Sequence, residues 1–259
     1  MSLNAHFLYI YSMVTLALYN LKGGVGKTTA SINLAYLSAK EGYKTLIWDL
    51  DPQGSSSFFL GVEATVKNEA KKLLNNELAL LDAVQPTAYE NLSIIPADLS
   101  ARQADILLHE FKQSKKKLAS LIAPLKKEFD IVILDCPPGI SLLHDNIFNA
   151  ADWVLMPNIP TTLSIRSYTT VTNYFDEHGF DKEKLHCFFS MVDHRKNLHH
   201  EVMNQFYKDK VFFKNYIPYL SDIEKMGINE APLETFAANS FAAQCFKDLW
   251  KEIKHQSFE

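Results

Sequence analysis

The sequence predicts an α/β fold, a doubly wound and mostly parallel sheet flanked by helices. Three observations carry this. Apolar runs of strand length alternate with helical patterns along the whole chain. Most of those runs are continuous rather than alternating, as in strands buried on both faces. The first run passes directly into a glycine-rich loop that opens a helix. The 259 residues are 47% hydrophobic and 22% charged, a balance that excludes disordered, collagen-like and coiled-coil chains. This length buries a substantial core without staples.

The elements follow in chain order. Residues 1–12 read as an upstream extension or cloning remnant, with Met13 as the natural start and 13–259 as a single domain. The apolar stretch Phe7 to Leu21 resembles a leader peptide only superficially. Its first lysine or arginine is Lys22, so a charged leading region is missing, and it is short for a membrane span. The default expectation is therefore cytoplasmic. Strands are expected at Val14–Leu21, Lys44–Trp48, Leu92–Ile95, Ile131–Leu134, Trp153–Met156, Leu185–Ser190 and Phe212–Ile217. The helix after the first strand spaces Ile32, Ala35, Tyr36 and Ala39 at i, i+3, i+4 and i+7, and Gly42 stops it. A last helix, about Phe241 to Lys254, places Phe246, Leu249, Trp250 and Ile253 on one stripe. The lysine runs at 115–117 and 126–127 read as solvated helix faces. The net charge is −4, so nucleic acid would need a local basic patch. Cys136, Cys187 and Cys245 include no CxxC pair, which argues against a disulfide scaffold or structural zinc.

Three segments carry chemistry. Lys22-Gly23-Gly24-Val25-Gly26-Lys27-Thr28-Thr29 lies between a strand and a helix, where a phosphate-binding loop belongs. Its glycines let the backbone curl so that several N–H groups face an anion, and the helix N-terminus adds partial positive charge. Lys27 reaches the β- and γ-phosphates, and the Thr28 hydroxyl can ligate Mg²⁺. In Trp48-Asp49-Leu50-Asp51-Pro52-Gln53-Gly54, two carboxylates follow a strand at its carboxyl edge, where ligands bind in open α/β sheets. In Ile131-Val132-Ile133-Leu134-Asp135, a buried strand delivers a carboxylate toward Mg²⁺, commonly through water. Cys136 reads as a small packed residue rather than a nucleophile.

A plain phosphate loop needs one lysine, and this loop has a second at its start. The string from Lys22 to Thr29 resembles the deviant Walker A of the ParA/MinD P-loop superfamily letter for letter. Asp49 to Gly54 resembles that family's D-x-D-P-Q-G segment, and Asp135 to Gly139 its D-x-P-P-G switch. Weaker matches, at 91–97, 151–157, 189–198, 217–218 and 230–232, extend the resemblance to ParA/Soj-type members over nearly the whole chain. The resemblance implies an ATPase that uses ATP and Mg²⁺ and forms a homodimer sandwiching two nucleotides. Lys22 would then act across the interface on the partner's phosphates, with Lys27 and Asp51 as its catalytic companions, Asp51 orienting the attacking water. Gly23, Gly24, Val25, Gly26, Lys27, Thr28 and Thr29 would bind phosphate, Met191 and Pro218 would lie near adenine, and Thr28, Asp49 and Asp135 would serve the metal.

The same resemblance implies a ParB-like activator and a role in partitioning DNA or positioning a cargo, near the nucleoid. Non-specific DNA would be met by a basic patch drawn from Arg195, Lys196, Lys210, Lys214 and Lys225. Two departures bear on this. Asp222 and Glu224 stand where Soj-like members place arginines, and Thr161 and Arg166 stand where the family often has acids. A MinD-like membrane switch is the alternative, but the last helix is expected to spend its stripe on the sheet, so membrane contact is not expected. Metal-cluster relatives need paired interface cysteines, which are missing here, and no pocket motif supports a metabolic ligase of this fold.

Overall fold

A computed structural model describes residues 13–65, 69–111 and 114–258; the predicted extension 1–12 lies outside the described residues. The strands are β1 (Val14–Leu18), β2 (Thr45–Asp49), β3 (Gln85–Pro86), β4 (Leu92–Ile95), β5 (Ile131–Asp135), β6 (Trp153–Asn158) and β7 (Leu185–Phe189). They form one sheet in the order β3-β4-β2-β5-β1-β6-β7, parallel throughout except for β3 on β4. The helices are α1 (Lys27–Lys40), α2 (Ser55–Phe59), α3 (Glu69–Leu74), α4 (Ala104–His109), α5 (Lys117–Ile122), α6 (Leu142–Ala150), α7 (Thr162–His178), α8 (Asn197–Phe206), α9 (Ser221–Glu224), α10 (Met226–Asn229), α11 (Leu233–Ala237) and α12 (Phe241–Phe258).

Successive strand residues feed opposite cores, which is why the runs are apolar without alternation. Leu16, Leu18, Ile131 and Ile133 face a cluster with α1 and α12, whereas Ala17, Val132 and Leu134 face one with α4, α5 and α6. In α1 the expected single stripe is too narrow. Ser31 to Ala35 and Leu37 to Ala39 are all buried, and Tyr36 is only half-buried. The helix runs beneath the sheet and is also covered by α12. The α12 stripe is spent as expected: Phe246, Leu249, Trp250 and Ile253 are buried within that second core. Burying four such side chains stabilises the fold by roughly 6–12 kcal/mol, and lifting them onto a membrane would uncover the α1 and sheet side chains they pack against. Among the described residues, no helix is long and apolar enough to cross a membrane.

Several expected boundaries move. β1 ends at Leu18 rather than Leu21, because Tyr19 makes one last ladder bond to the Leu155 carbonyl (3.0 Å) before the Asn20 carboxamide turns to the Pro157 carbonyl (2.8 Å). β2 and β5 each extend onto their acids, with Asp49 paired in register to Asp135. The expected strand Phe212–Ile217 is not a regular strand. It meets β7 and its extension through isolated bridges, Cys187–Phe212 and, just past the segment, Val192–Pro218, and through one bond from the Ile217 N–H to the Phe189 carbonyl (2.8 Å). Between them the Glu252 carboxylate of α12 captures the N–H groups of Lys214 (2.7 Å) and Asn215 (2.9 Å), pulling the chain off the ladder. β3, which the sequence reading lacks, is a two-residue antiparallel edge where a proline costs no ladder bond.

Candidate active site

The carboxyl ends of β1, β2 and β5 lie side by side at the centre of the sheet, so the three chemistry-bearing segments converge on one edge. The Lys22–Gly26 loop is tied down from below. Asn20 accepts the Lys22 N–H (2.9 Å) while its amide holds β6. Gly24 (φ +69°) and Gly26 (φ +92°) take left-handed backbone, and Gly26 caps α1. Thus the loop lines the cleft at the start of a 14-residue helix, whose first N–H groups have no partner within the helix.

That cleft, about 580 Å³, is lined by Gly23, Gly24, Gly26, Lys27, Thr28 and Thr29 on one side. Asp51, Pro52, Gln53, Ser55, Arg102, Pro137 and Pro138 line the other. Lys27 is buried at its floor, its Nζ donating to the Lys22 carbonyl (3.2 Å). Burial pulls its pKa below the ordinary lysine value, and the neighbouring Asp135 and Asp51 pull the other way. Gly24, Gly26 and Thr29 also line a second, apolar cavity of about 330 Å³, which holds Phe59, Met191, Pro218, Tyr219, Ile223 and Phe246. The phosphate loop therefore joins a polar cleft to an apolar pocket of nucleobase size, and Met191 and Pro218, singled out from the sequence, both line that pocket.

The two strand-end acids sit beneath the cleft. Asp135 is completely buried and accepts hydroxyl hydrogen bonds from Ser31 (3.0 Å), Ser56 (2.7 Å) and Thr28. Burial raises its pKa, while those hydroxyls and Lys27 restrain the rise. Asp49 is buried beside it and is pushed up to about 7, chiefly by burial and then by the Asp135 charge. Its Oδ2 accepts the N–H (2.9 Å) and hydroxyl (2.8 Å) of Ser57, and its Oδ1 accepts the Asp51 N–H (3.2 Å). Asp49 does not line the cleft; it shapes the loop that presents Asp51 there. Thr28 lines the cleft and Asp135 lies beneath it, accepting the Thr28 hydroxyl; these hard oxygens are the small protein set Mg²⁺ uses when phosphate and water complete its shell. Among the described residues, no three His, Cys, Asp or Glu side chains gather as a metal cage.

The Pro137–Gly139 loop is braced against β1 and α6. The Tyr19 hydroxyl donates to the Gly139 carbonyl (2.9 Å), the Gly139 N–H donates to the Leu21 carbonyl (3.1 Å), and His144 Nε2 lies 3.1 Å from the Pro137 carbonyl oxygen. Cys136 is buried, its Sγ donating to the Leu134 carbonyl (3.3 Å), and burial pushes its thiol pKa well up. Lys22 behaves unlike Lys27. It is absent from the lining of its own cleft, and its ammonium rests on the Leu163 carbonyl (2.7 Å) at the start of α7. Thr161 caps that helix through the Ser164 N–H.

The predicted basic patch is not a cluster of free charges. Arg195 is held by both oxygens of Asp193 (2.9 Å each), Lys225 by Asp222 (2.9 Å), and Lys214 by the Tyr207 carbonyl and ring. Only Lys196 and Lys210 of the five stand exposed with no such bond among the described residues. The register also separates them: Lys210 precedes the Cys187–Phe212 bridge and Lys196 follows the end of β7. Motif reading missed Arg102, Ser31, Ser56, Phe59 and Tyr219, which lie outside the motif strings themselves. The Ser-Ser-Ser run after Gly54 was the one available hint.

Comparison with known proteins adds four findings. A family model described as an AAA domain matches residues 13–185. The sporulation initiation inhibitor protein Soj of Bacillus subtilis is 30% identical over 246 residues, covering 92% of this chain and 97% of that protein. Among solved structures, apo McdA of Cyanothece superposes with a TM-score of 0.79 at 23% identity, covering 94% of this chain and 98% of that one. The cell division ATPase MinD of Pyrococcus furiosus gives 0.75 at 23%, covering 94% and 99%.

Proposed function

The chain belongs to the ParA/Soj family of partition ATPases, within the ParA/MinD group of P-loop proteins. From that premise we propose that it works as a nucleotide-timed dimer. ATP and Mg²⁺ occupy the cleft, two copies close face to face over their nucleotides, and the closed pair holds a DNA surface until hydrolysis releases it. Residues 13–259 act as one unit in this cycle. The observation that carries the reading is the split between the two lysines. Lys27 lines its own cleft, whereas Lys22 is absent from its lining and rests its ammonium on the Leu163 carbonyl. A cation so placed serves a phosphate on a facing subunit better than one in its own loop.

The residues divide the chemistry between them. The loop N–H groups and Lys27 bind and orient the β- and γ-phosphates. Thr28 and Asp135 would hold Mg²⁺, which supplies charge neutralisation across the phosphates when bound. Asp51, presented by its Asp49-shaped loop, orients a water toward the γ-phosphate, and Pro137–Gly139 senses whether that phosphate is present. Met191 and Pro218 flank the base. A ParB-like activator and a nucleoid address follow from the same kinship. Because the basic candidates are sparse on one copy, the DNA surface is one that dimerisation must double, with Lys196 and Lys210 as its free charges.

The decisive test uses Asp51→Ala. With ATP and Mg²⁺ it should form a persistent dimer without turnover and retard duplex DNA in a gel, with binding that falls steeply as salt rises. Wild-type turnover by this variant removes Asp51 from its role. Absence of any shift at low salt removes DNA as the surface.

A further inference from the structure

Arg102 stands in the phosphate cleft with no motif to announce it. It belongs to the 3-10 turn Leu99–Gln103 that follows β4. Its side chain lines the cleft opposite the phosphate loop, beside Asp51 to Gln53 and Pro137 to Pro138. It also lines an adjoining cavity of about 230 Å³ with Pro52, Pro138, Ser141 and His144, but it has no part in the apolar pocket of Met191 and Pro218. Arg102 therefore stands on the side of the cleft away from the base pocket, beside Asp51 and Pro138. Its turn is firmly seated. Asp98 accepts the Ser100 N–H (3.1 Å) on one oxygen and the Glu69 N–H (2.7 Å) on the other. Arg102 itself is exposed, and none of the described residues offers it a hydrogen bond or ion pair. The nearest acid in the adjoining cavity, Asp105, already accepts the Leu143 N–H (2.8 Å). An unengaged, permanently charged fork facing a phosphate site matches phosphate oxygens in pairs.

We propose that Arg102 is a γ-phosphate ligand supplied by the same subunit that binds the nucleotide. It tells a nucleoside triphosphate from a diphosphate, separately from the cross-subunit role of Lys22. The inference rests on reading this cleft as the ATP site.

The test measures equilibrium binding of ADP and of a non-hydrolysable ATP analogue, each with Mg²⁺. The proteins are the wild type, Arg102→Ala, Arg102→Lys and Lys27→Ala, with the Arg102→Ala comparison repeated in a Lys22→Ala background to exclude the facing subunit. Arg102→Ala should weaken the triphosphate analogue by about tenfold or more and ADP by less than about twofold. Arg102→Lys should fall between, and the melting temperature without nucleotide should not move because the side chain is exposed and unbonded. Equal losses for both nucleotides, or unchanged discrimination, overturn the inference alone. Failure of the wild type to bind either nucleotide, or wild-type binding by Lys27→Ala, overturns the site reading and this inference with it.

Discussion

Replacing Gly26 by alanine tests whether the phosphate loop is held by backbone geometry and by a neighbour just past β7, or by sequence alone. Gly26 has φ +92°, and a Cβ there would meet Ser190 Oγ at 2.8 Å. Two costs follow. A non-glycine residue in left-handed backbone costs about 1–2 kcal/mol. Overpacking against the buried Ser190 side chain adds about 1–3 kcal/mol. Gly26→Ala should therefore lose about 2–5 kcal/mol of stability. Its neighbours supply the controls. Gly24 has φ +69° with open space around it, so Gly24→Ala carries only the backbone cost of about 1–2 kcal/mol. Gly23 has neither feature, so Gly23→Ala stays within about 1 kcal/mol of the wild type. Adding Ser190→Ala to Gly26→Ala removes the clashing oxygen and should return the overpacking share while leaving the backbone share. Urea unfolding followed by fluorescence of Trp48, Trp153 and Trp250, with equal m-values, reads the series. A Gly26→Ala midpoint indistinguishable from wild type, or equal losses at all three glycines, refutes the reasoning.

Other perturbations separate the interface from the fold. Lys22→Ala should keep the stability of the wild type to within about 1 kcal/mol, since it loses one exposed hydrogen bond. It should nevertheless elute as a monomer with a non-hydrolysable ATP analogue and Mg²⁺; a normal dimer there defeats the cross-subunit role. His186, stacked on Trp153 at a 3.7 Å ring separation, has its pKa lowered to about 4 by burial. A folded-state value below the unfolded value means the neutral ring stabilises the fold above about pH 6.5, and this is lost as pH falls toward 4. His186→Phe should remove roughly 2–3 kcal/mol of the wild type's stability loss between those values. Parallel ΔG–pH curves for the two proteins would show that His186 does not couple to folding.

Much of the site is legible in the sequence because its parts are local. The loop from Lys22 to Thr29, the Asp49–Gly54 segment and Asp135 each follow a continuous apolar run, and a parallel sheet puts all such strand ends on one edge. Strand ends are less legible, because ladder bonds and not hydrophobicity decide them: Asp49 and Asp135 extend the strands that a hydrophobic criterion closes one residue early. The segment 212–217 is apolar enough for a strand, yet one carboxylate from α12, 37 residues beyond Asn215, takes its N–H groups.

What local sequence determined, then, is the order of the strands and helices, the phosphate-binding loop, and which acids stand at strand ends. Those properties depend on neighbours within a few residues of one another. Tertiary structure decided that Arg102 lines the cleft, that Lys22 does not, that Asp49 braces a loop, and that Arg195 and Lys225 spend their charge on Asp193 and Asp222. Each of these turns on where the fold carries a side chain: Lys22 and Asp49 meet partners from other elements, whereas Arg102 is carried to the cleft by its turn and meets no bonding partner among the described residues.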